Sequence, residues 1–110
     1  MGNNAGLSFS VYDGRMINPK SLIITGTASA VPLSATELRA KWVQITTPSG
    51  NSAQIRIGDS TTKVNVGYPI PVGWAGMFLP PIAERFSFYD LSQLYVYAAT
   101  NDVVNVLFGG

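Results

Sequence analysis

Few side chains in this sequence could do chemistry, and their types exclude more than they permit. The 110 residues contain neither histidine nor cysteine. The commonest general base and the usual metal ligand are therefore missing, together with thiolate nucleophiles, thiolate metal sites and disulfides. Six carboxylates remain, Asp13, Glu37, Asp59, Glu84, Asp90 and Asp102, each at an expected turn or strand end. Two carboxyl groups a few ångströms apart would be the machinery of glycoside hydrolysis, and Asp59 and Asp102 are the two that could help ligate a cation through oxygen. Isolated aspartates, however, are what β-proteins use to close turns, and that is the role expected of all six. Gly73-Trp74-Ala75-Gly76 neither follows a clear strand nor opens a helix, so it does not read as a phosphate cradle. The expectation is a chain with no catalytic residue, no cofactor and no metal: not an enzyme.

The aromatic residues Trp42, Trp74, Tyr95 and Tyr97 offer a different chemistry, that of a stacking platform for sugars or single strands. A nucleic-acid groove would need basic residues beside the rings, and the net charge is +1 with no run of like charge, so neither nucleic acid nor a membrane surface is an expected partner. Tryptophan and tyrosine are equally enriched where proteins meet proteins. The composition favours that reading. Charged residues make up 12% of the chain, about half of the roughly 25% usual in soluble domains, and a surface so poor in charge invites association.

The elements that must position these residues are strands. "KWVQITT" sets Val43 and Ile45 on one face against Trp42, Gln44 and Thr46; "AQIRIGD" sets Ala53, Ile55 and Ile57 against Gln54 and Arg56; "KVNVG" sets Val64 and Val66 against Lys63 and Asn65. Period-two alternation marks sheets with one buried face. "SLIITGTAS", "AGMFLPP", "RFSFYD", "SQLYVYAAT" and "DVVNVLFGG" bring the number to about eight short strands at roughly ten-residue spacing, the pattern of a sandwich or a barrel. Gly26 within the first of these is expected at a bulge or a close backbone approach. Ser34 to Glu37 has capping-box spacing and reads as a turn or a short helix. Residues 1–19 are expected to be an N-terminal arm, with Leu7, Phe9 and Val11 alternating against Ser8, Ser10 and Tyr12, and residues 20–110 a single domain. No apolar run approaches the ~18 residues of a membrane span, and the N-terminus lacks the features of a secretory signal.

The closing strands raise a question of cover. Leu94, Val96 and Ala98 alternate with Tyr95, Tyr97 and Ala99, and Val104, Val106 and Phe108 alternate with Val103, Asn105 and Leu107. Both sides of each are largely apolar, whereas a sheet open to water on one side shows polar residues there. The cover would be a loop of the same chain, the arm of this or another subunit, or a different protein. Pairing of residues 92–99 with 102–108 through Asn101-Asp102 is the expected hairpin.

The segments "VQITTPSGNSAQIRIGDSTTKVNVGYPIPVG" and "FYDLSQLYVYAATNDVVNVLFGG" resemble small virion proteins of tailed bacteriophages, over roughly residues 41–110. The resemblance implies a jelly-roll-like β-sandwich; together with the arm read above, the expected fold is an all-β, single-domain, jelly-roll-like antiparallel β-sandwich of about eight short strands with an extended N-terminal arm. It implies a non-enzymatic capsid decoration or cement protein that bridges capsomers, or a head-fibre or tail component. The partners expected are the major capsid protein or another virion protein and further copies of the chain, as a dimer or trimer, in a virion assembled in the bacterial cytoplasm. The residues expected at interfaces are Leu7, Phe9, Val11, Trp42, Trp74, Tyr95, Tyr97, Val103 and Leu107. A carbohydrate-binding tail or fibre module is the alternative.

Overall fold

The computed structural model describes residues 19–110 of the chain. Among these described residues ten strands follow one another: β1 (Lys20–Thr25), β2 (Ala30–Pro32), β3 (Arg39–Ala40), β4 (Trp42–Thr46), β5 (Ile55–Gly58), β6 (Tyr68–Ile70), β7 (Ala75–Leu79), β8 (Tyr89–Asp90), β9 (Tyr95–Tyr97) and β10 (Val103–Gly109). A 3-10 turn, Leu91–Gln93, precedes β9. The chain is an all-β sandwich. Sheet I has the order β1-β10-β4-β7, sheet II the order β2-β9-β5-β6, and β3 pairs with β8 in a two-stranded ribbon. Every ladder between the described strands is antiparallel.

The two sheets share one core. Val43 and Ile45 from β4 and Val104, Val106 and Phe108 from β10 meet Ile55 and Ile57 from β5, Ile70 from β6 and Val96 from β9. All are 4% exposed or less, and each such side chain stabilises the fold by about 1.5–3 kcal/mol relative to exposure. Strand alternation chose this set correctly: Val43/Ile45, Ile55/Ile57 and Val104/Val106/Phe108 all point inward.

Alternation failed at three places, the first being Ala53, which was set with Ile55 and Ile57 but lies exposed in the bend before β5. Val64 and Val66 belong to no core-facing strand: Lys63 and Val66 pair as an isolated bridge at the tip between β5 and β6, where the two valines are 59% and 46% exposed. In "RFSFYD" only Tyr89 and Asp90 are in a strand, and Phe86 and Phe88 lie in the loop before it.

The expected hairpin between residues 92–99 and 102–108 does not exist. Strand β9 pairs with β2 and β5, whereas β10 pairs with β1 and β4, so the chain crosses from one sheet to the other between them. Backbone geometry accounts for the crossing. Asn101 takes a left-handed φ of 71°, a conformation Asn tolerates better than most residues. Its N–H and the carbonyl of Asp102 bond across to Gly26, at 3.0 and 2.7 Å. Gly26 is indeed the site of a close approach: a Cβ there would lie 2.1 Å from the carbonyl oxygen of Ala99. Any side chain at position 26 would push the crossing apart.

Ser34 to Glu37 forms a turn rather than a helix. The Ser34 hydroxyl donates to the Thr36 carbonyl at 2.7 Å, and Glu37 pairs with Arg39 in solvent.

Candidate functional site

The surfaces follow from the alternation. With Val104, Val106 and Phe108 directed inward, Val103, Asn105 and Leu107 face out from sheet I. Asn105 lies between Ile23 on β1 and Thr46 on β4, and Leu107 lies between Ser21 and Gln44. Ile23 is 73% exposed and Leu107 40%. These residues line a shallow cavity of about 310 Å³, together with Ser21, Gln44, Thr46 and Asn105. Phe78 of β7, beside Gln44 in register, extends the apolar surface and is also exposed.

The outside of sheet II is built differently. Tyr95 lies between Pro32 and Gly58, and Tyr97 between Ala30 and Arg56. Both tyrosines are half-buried. Arg56 donates from Nη1 to the Gly67 carbonyl at 3.0 Å, which anchors its side chain to the β5–β6 turn.

The sequence placed Tyr95, Tyr97, Val103 and Leu107 on one shared face. The sandwich separates them: the tyrosines lie outside sheet II, and Val103 and Leu107 lie outside sheet I. The cause is the crossing between β9 and β10. No single flat contact reaches both pairs.

Trp42 is corrected as well. It is 1% exposed and stands against the backbone of Gly109, where a Cβ would come within 2.9 Å of the indole. It is therefore closed to any partner, and its indole N–H finds no hydrogen-bond acceptor among the described residues. Trp74, by contrast, is 64% exposed, in the turn where its carbonyl accepts from the Thr47 N–H at 3.0 Å. Leu7, Phe9, Val11 and the arm that carries them lie outside the described residues.

Each described side-chain carboxylate apart from Glu37 is held by backbone N–H groups and hydroxyls, Asp59 and Glu84 within their own turns, Asp90 partly and Asp102 wholly across to another segment. Asp59 accepts from the Thr61 hydroxyl and N–H, Glu84 from the Ser87 hydroxyl and Phe86 N–H, and Asp90 from the Ser92 N–H and hydroxyl and from the Leu38 N–H. Asp102, 6% exposed, accepts from the N–H and hydroxyl of Ser52 and the N–H of Ala53 at 2.9–3.2 Å. Such bonds favour the charged form, and all four carboxyls are held below their ordinary values. The leading cause is the Thr61 hydroxyl for Asp59, the Ser87 hydroxyl for Glu84, the Ser92 N–H for Asp90 and the Ser52 N–H for Asp102. Among the described residues no three carboxylates gather as metal ligands would.

Two features escaped the sequence. Asn51 forms a reciprocal pair with the backbone of Val103, accepting its N–H at 2.8 Å and donating to its carbonyl at 2.7 Å; with Asp102 this clamps the β4–β5 loop to the sheet crossing. The Lys41 ammonium donates to the carbonyls of Glu84, Arg85 and Ser87 and lies 4.2 Å from the centre of the Phe88 ring. That holds the loop before β8, from which Phe86 projects 79% exposed. No local pattern signals a lysine that bonds residues more than forty positions away. Comparison with protein-family models, curated proteins and solved structures finds no match.

Proposed function

We propose that the chain is a non-enzymatic structural protein of a tailed-phage virion, a decoration or cement protein that works by burying its outer surfaces against capsid subunits. The observation that carries this reading is the strand order. Two four-stranded antiparallel sheets, β1-β10-β4-β7 and β2-β9-β5-β6, with every connection among these eight strands except β5–β6 passing between sheets, support reading the sandwich as a jelly roll, an architecture used by viral capsid and lectin domains. The apolar outer face of sheet I and the exposed Trp74, Phe78 and Phe86 supply the anchors such contacts need, since aromatic side chains dominate interface energetics. Repetition over many capsid sites multiplies a modest contact through avidity.

The test is direct: purified particles are examined for the chain by mass spectrometry, and recombinant chain is co-sedimented with capsids that lack it. Saturable binding at a fixed ratio to the capsid subunit supports the proposal, and absence from particles together with failure to sediment rejects it. The exposed Trp74 also fits a glycan-binding fibre module. A glycan-array signal lost in Trp74→Ala, without capsid binding, would favour that second reading.

A further inference from the structure

The turn that carries Phe86 is closed from two sides by two side chains. On its donor side the Glu84 carboxylate accepts from the Phe86 N–H and the Ser87 hydroxyl, at 2.8 and 2.9 Å. On its acceptor side the carbonyls of Glu84, Arg85 and Ser87 all accept from the Lys41 ammonium, Arg85 at 3.3 Å and Ser87 at 2.6 Å. Carbonyls of one short turn that converge on a single point repel one another, and each needs a donor. A water molecule would bring two protons to three acceptors. A primary ammonium brings three donors and a full charge, and the Phe88 ring, 4.2 Å from the nitrogen, adds the attraction of its negative face. The planar fork of an arginine would not converge on three oxygens as a compact ammonium does. The stem that delivers the charge is anchored as well: the Lys41 N–H donates to the Gly109 carbonyl at 2.7 Å, and the Lys41 carbonyl accepts from the Ile82 N–H at 2.8 Å.

We infer that the carbonyls of Glu84, Arg85 and Ser87 and the ring of Phe88 form a binding site for a primary ammonium ion, that Lys41 is its tethered occupant, and that occupancy holds the turn in the form that projects Phe86. Backbone carbonyls replace a cation's hydration shell in the same way where chains bind free monovalent cations. With the ammonium withdrawn, all three carbonyls lose a donor at once. Glu84 still serves the donors of the turn, but nothing offsets the repulsion among its acceptors, and Phe86, 79% exposed, has no packing of its own to keep it in place. Truncation of Lys41 at Cβ empties the site and leaves both backbone bonds of the residue intact. The atoms then missing, Cγ, Cδ, Cε and Nζ, are those of a propylammonium ion. The site works in this way whatever partner Phe86 meets, so it does not depend on the virion role.

Chymotrypsin cleavage of the bond after Phe86, followed by mass spectrometry, reads whether the turn is closed. Full-length Lys41→Ala, its fold checked by circular dichroism, should be cut there roughly tenfold faster than the unsubstituted chain or more, the rise in open population that accompanies loss of a hydrogen bond to a charged group. Propylammonium chloride should restore protection saturably. Tetramethylammonium chloride at the same ionic strength should not, because it carries the charge without an N–H; a peptide of residues 82–90 corrects for any effect of either salt on the protease. The unsubstituted chain, its site filled, should respond to neither salt. Lys41→Ala cut no faster than the unsubstituted chain, or protected equally by both salts or by neither, would overturn the inference. Should Lys41→Ala fail to fold, the unsubstituted chain labelled with nitrogen-15 at the lysine Nζ atoms decides the matter: by NMR the Lys41 ammonium protons should exchange with water more slowly than those of Lys20 and Lys63. Equal exchange at all three lysines would overturn the inference.

Discussion

On the outside of sheet II, Tyr95 and Tyr97 lie half-buried across Pro32, Gly58 and Ala30, whereas on the outside of sheet I Ile23 and Leu107 stand largely open beside Asn105 and Gln44. The described edge strands follow a similar division: both edge strands of sheet II carry a proline, whereas β1 of sheet I carries none. A tyrosine covers its own sheet with a broad ring while keeping its hydroxyl near water; an isoleucine on a flat face has nothing to lean on. Sheet II leaves Tyr68 open on its edge strand, but the middle of its outer face is covered by its own tyrosines, and sheet I is the side whose outer face leaves aliphatic surface to bury. The two sides of this sandwich are therefore expected to answer substitution differently.

The largest effect separates the two sides of β10 itself. Val106→Asp places an unpaired charge in the core shared by both sheets, which costs several kcal/mol, and should abolish the cooperative unfolding transition in circular dichroism. Leu107→Asp, one residue along and facing outward, should change stability by about 0.5 kcal/mol or less while reducing self-association and capsid binding measured by light scattering and sedimentation. Equal loss of fold in both variants would erase the distinction between faces. Next in size, Asn51→Ala leaves the Val103 backbone without its paired partner and should cost about 1–3 kcal/mol by chemical denaturation. A smaller value would mean that Asp102 alone holds the clamp. On sheet II, Tyr97→Ser should lower stability by about 1 kcal/mol yet leave association unchanged. If association falls more than in Leu107→Asp, the assembling side has been assigned to the wrong sheet.

The smallest effect is one of pH. The folded-state pKa of Asp102 is depressed, chiefly by the Ser52 N–H, so its contribution to stability is complete above the ordinary aspartate value of about 3.9 and is lost as pH falls through the lower folded value. Asp59, Glu84 and Asp90 act in the same direction. Thermal melts from neutral to acid pH should show the midpoint falling in that window, less steeply in Asp102→Asn.

The inward rows of β4, β5 and β10 were legible because a half-buried strand writes its burial in period two. The same period misled at Val64 and Val66, where two residues between a turn and a bridge alternate without any core to face. Which strand joins which sheet was not legible at all. The crossing after β9 depends on Gly26 meeting Ala98 and Ala99, a contact more than seventy residues apart in sequence, and local turn chemistry at Asn101-Asp102 favoured a hairpin. Of the surface residues, the outward direction of Leu107 and Tyr97 could be read, but not that they leave opposite sides. Ile23 carried a signal that was passed over: in the run Leu22-Ile23-Ile24 one residue must face outward in any strand. Trp42 was misread because its cover is the backbone of Gly109, invisible to composition.

The ammonium of Lys41, bonded to three carbonyls and set against the Phe88 ring, has a practical consequence for handling the molecule. The chain has only two other lysines, Lys20 and Lys63, both exposed. An amine that must leave such a nest before it can act as a nucleophile is acylated slowly. Limited treatment with an activated ester should therefore label side chains at Lys20 and Lys63 and spare Lys41, as peptide mapping would read directly. Those two positions lie at the start of β1 and at the β5–β6 tip, so dyes or surface linkers can be attached through the native lysines without disturbing the Phe86 loop.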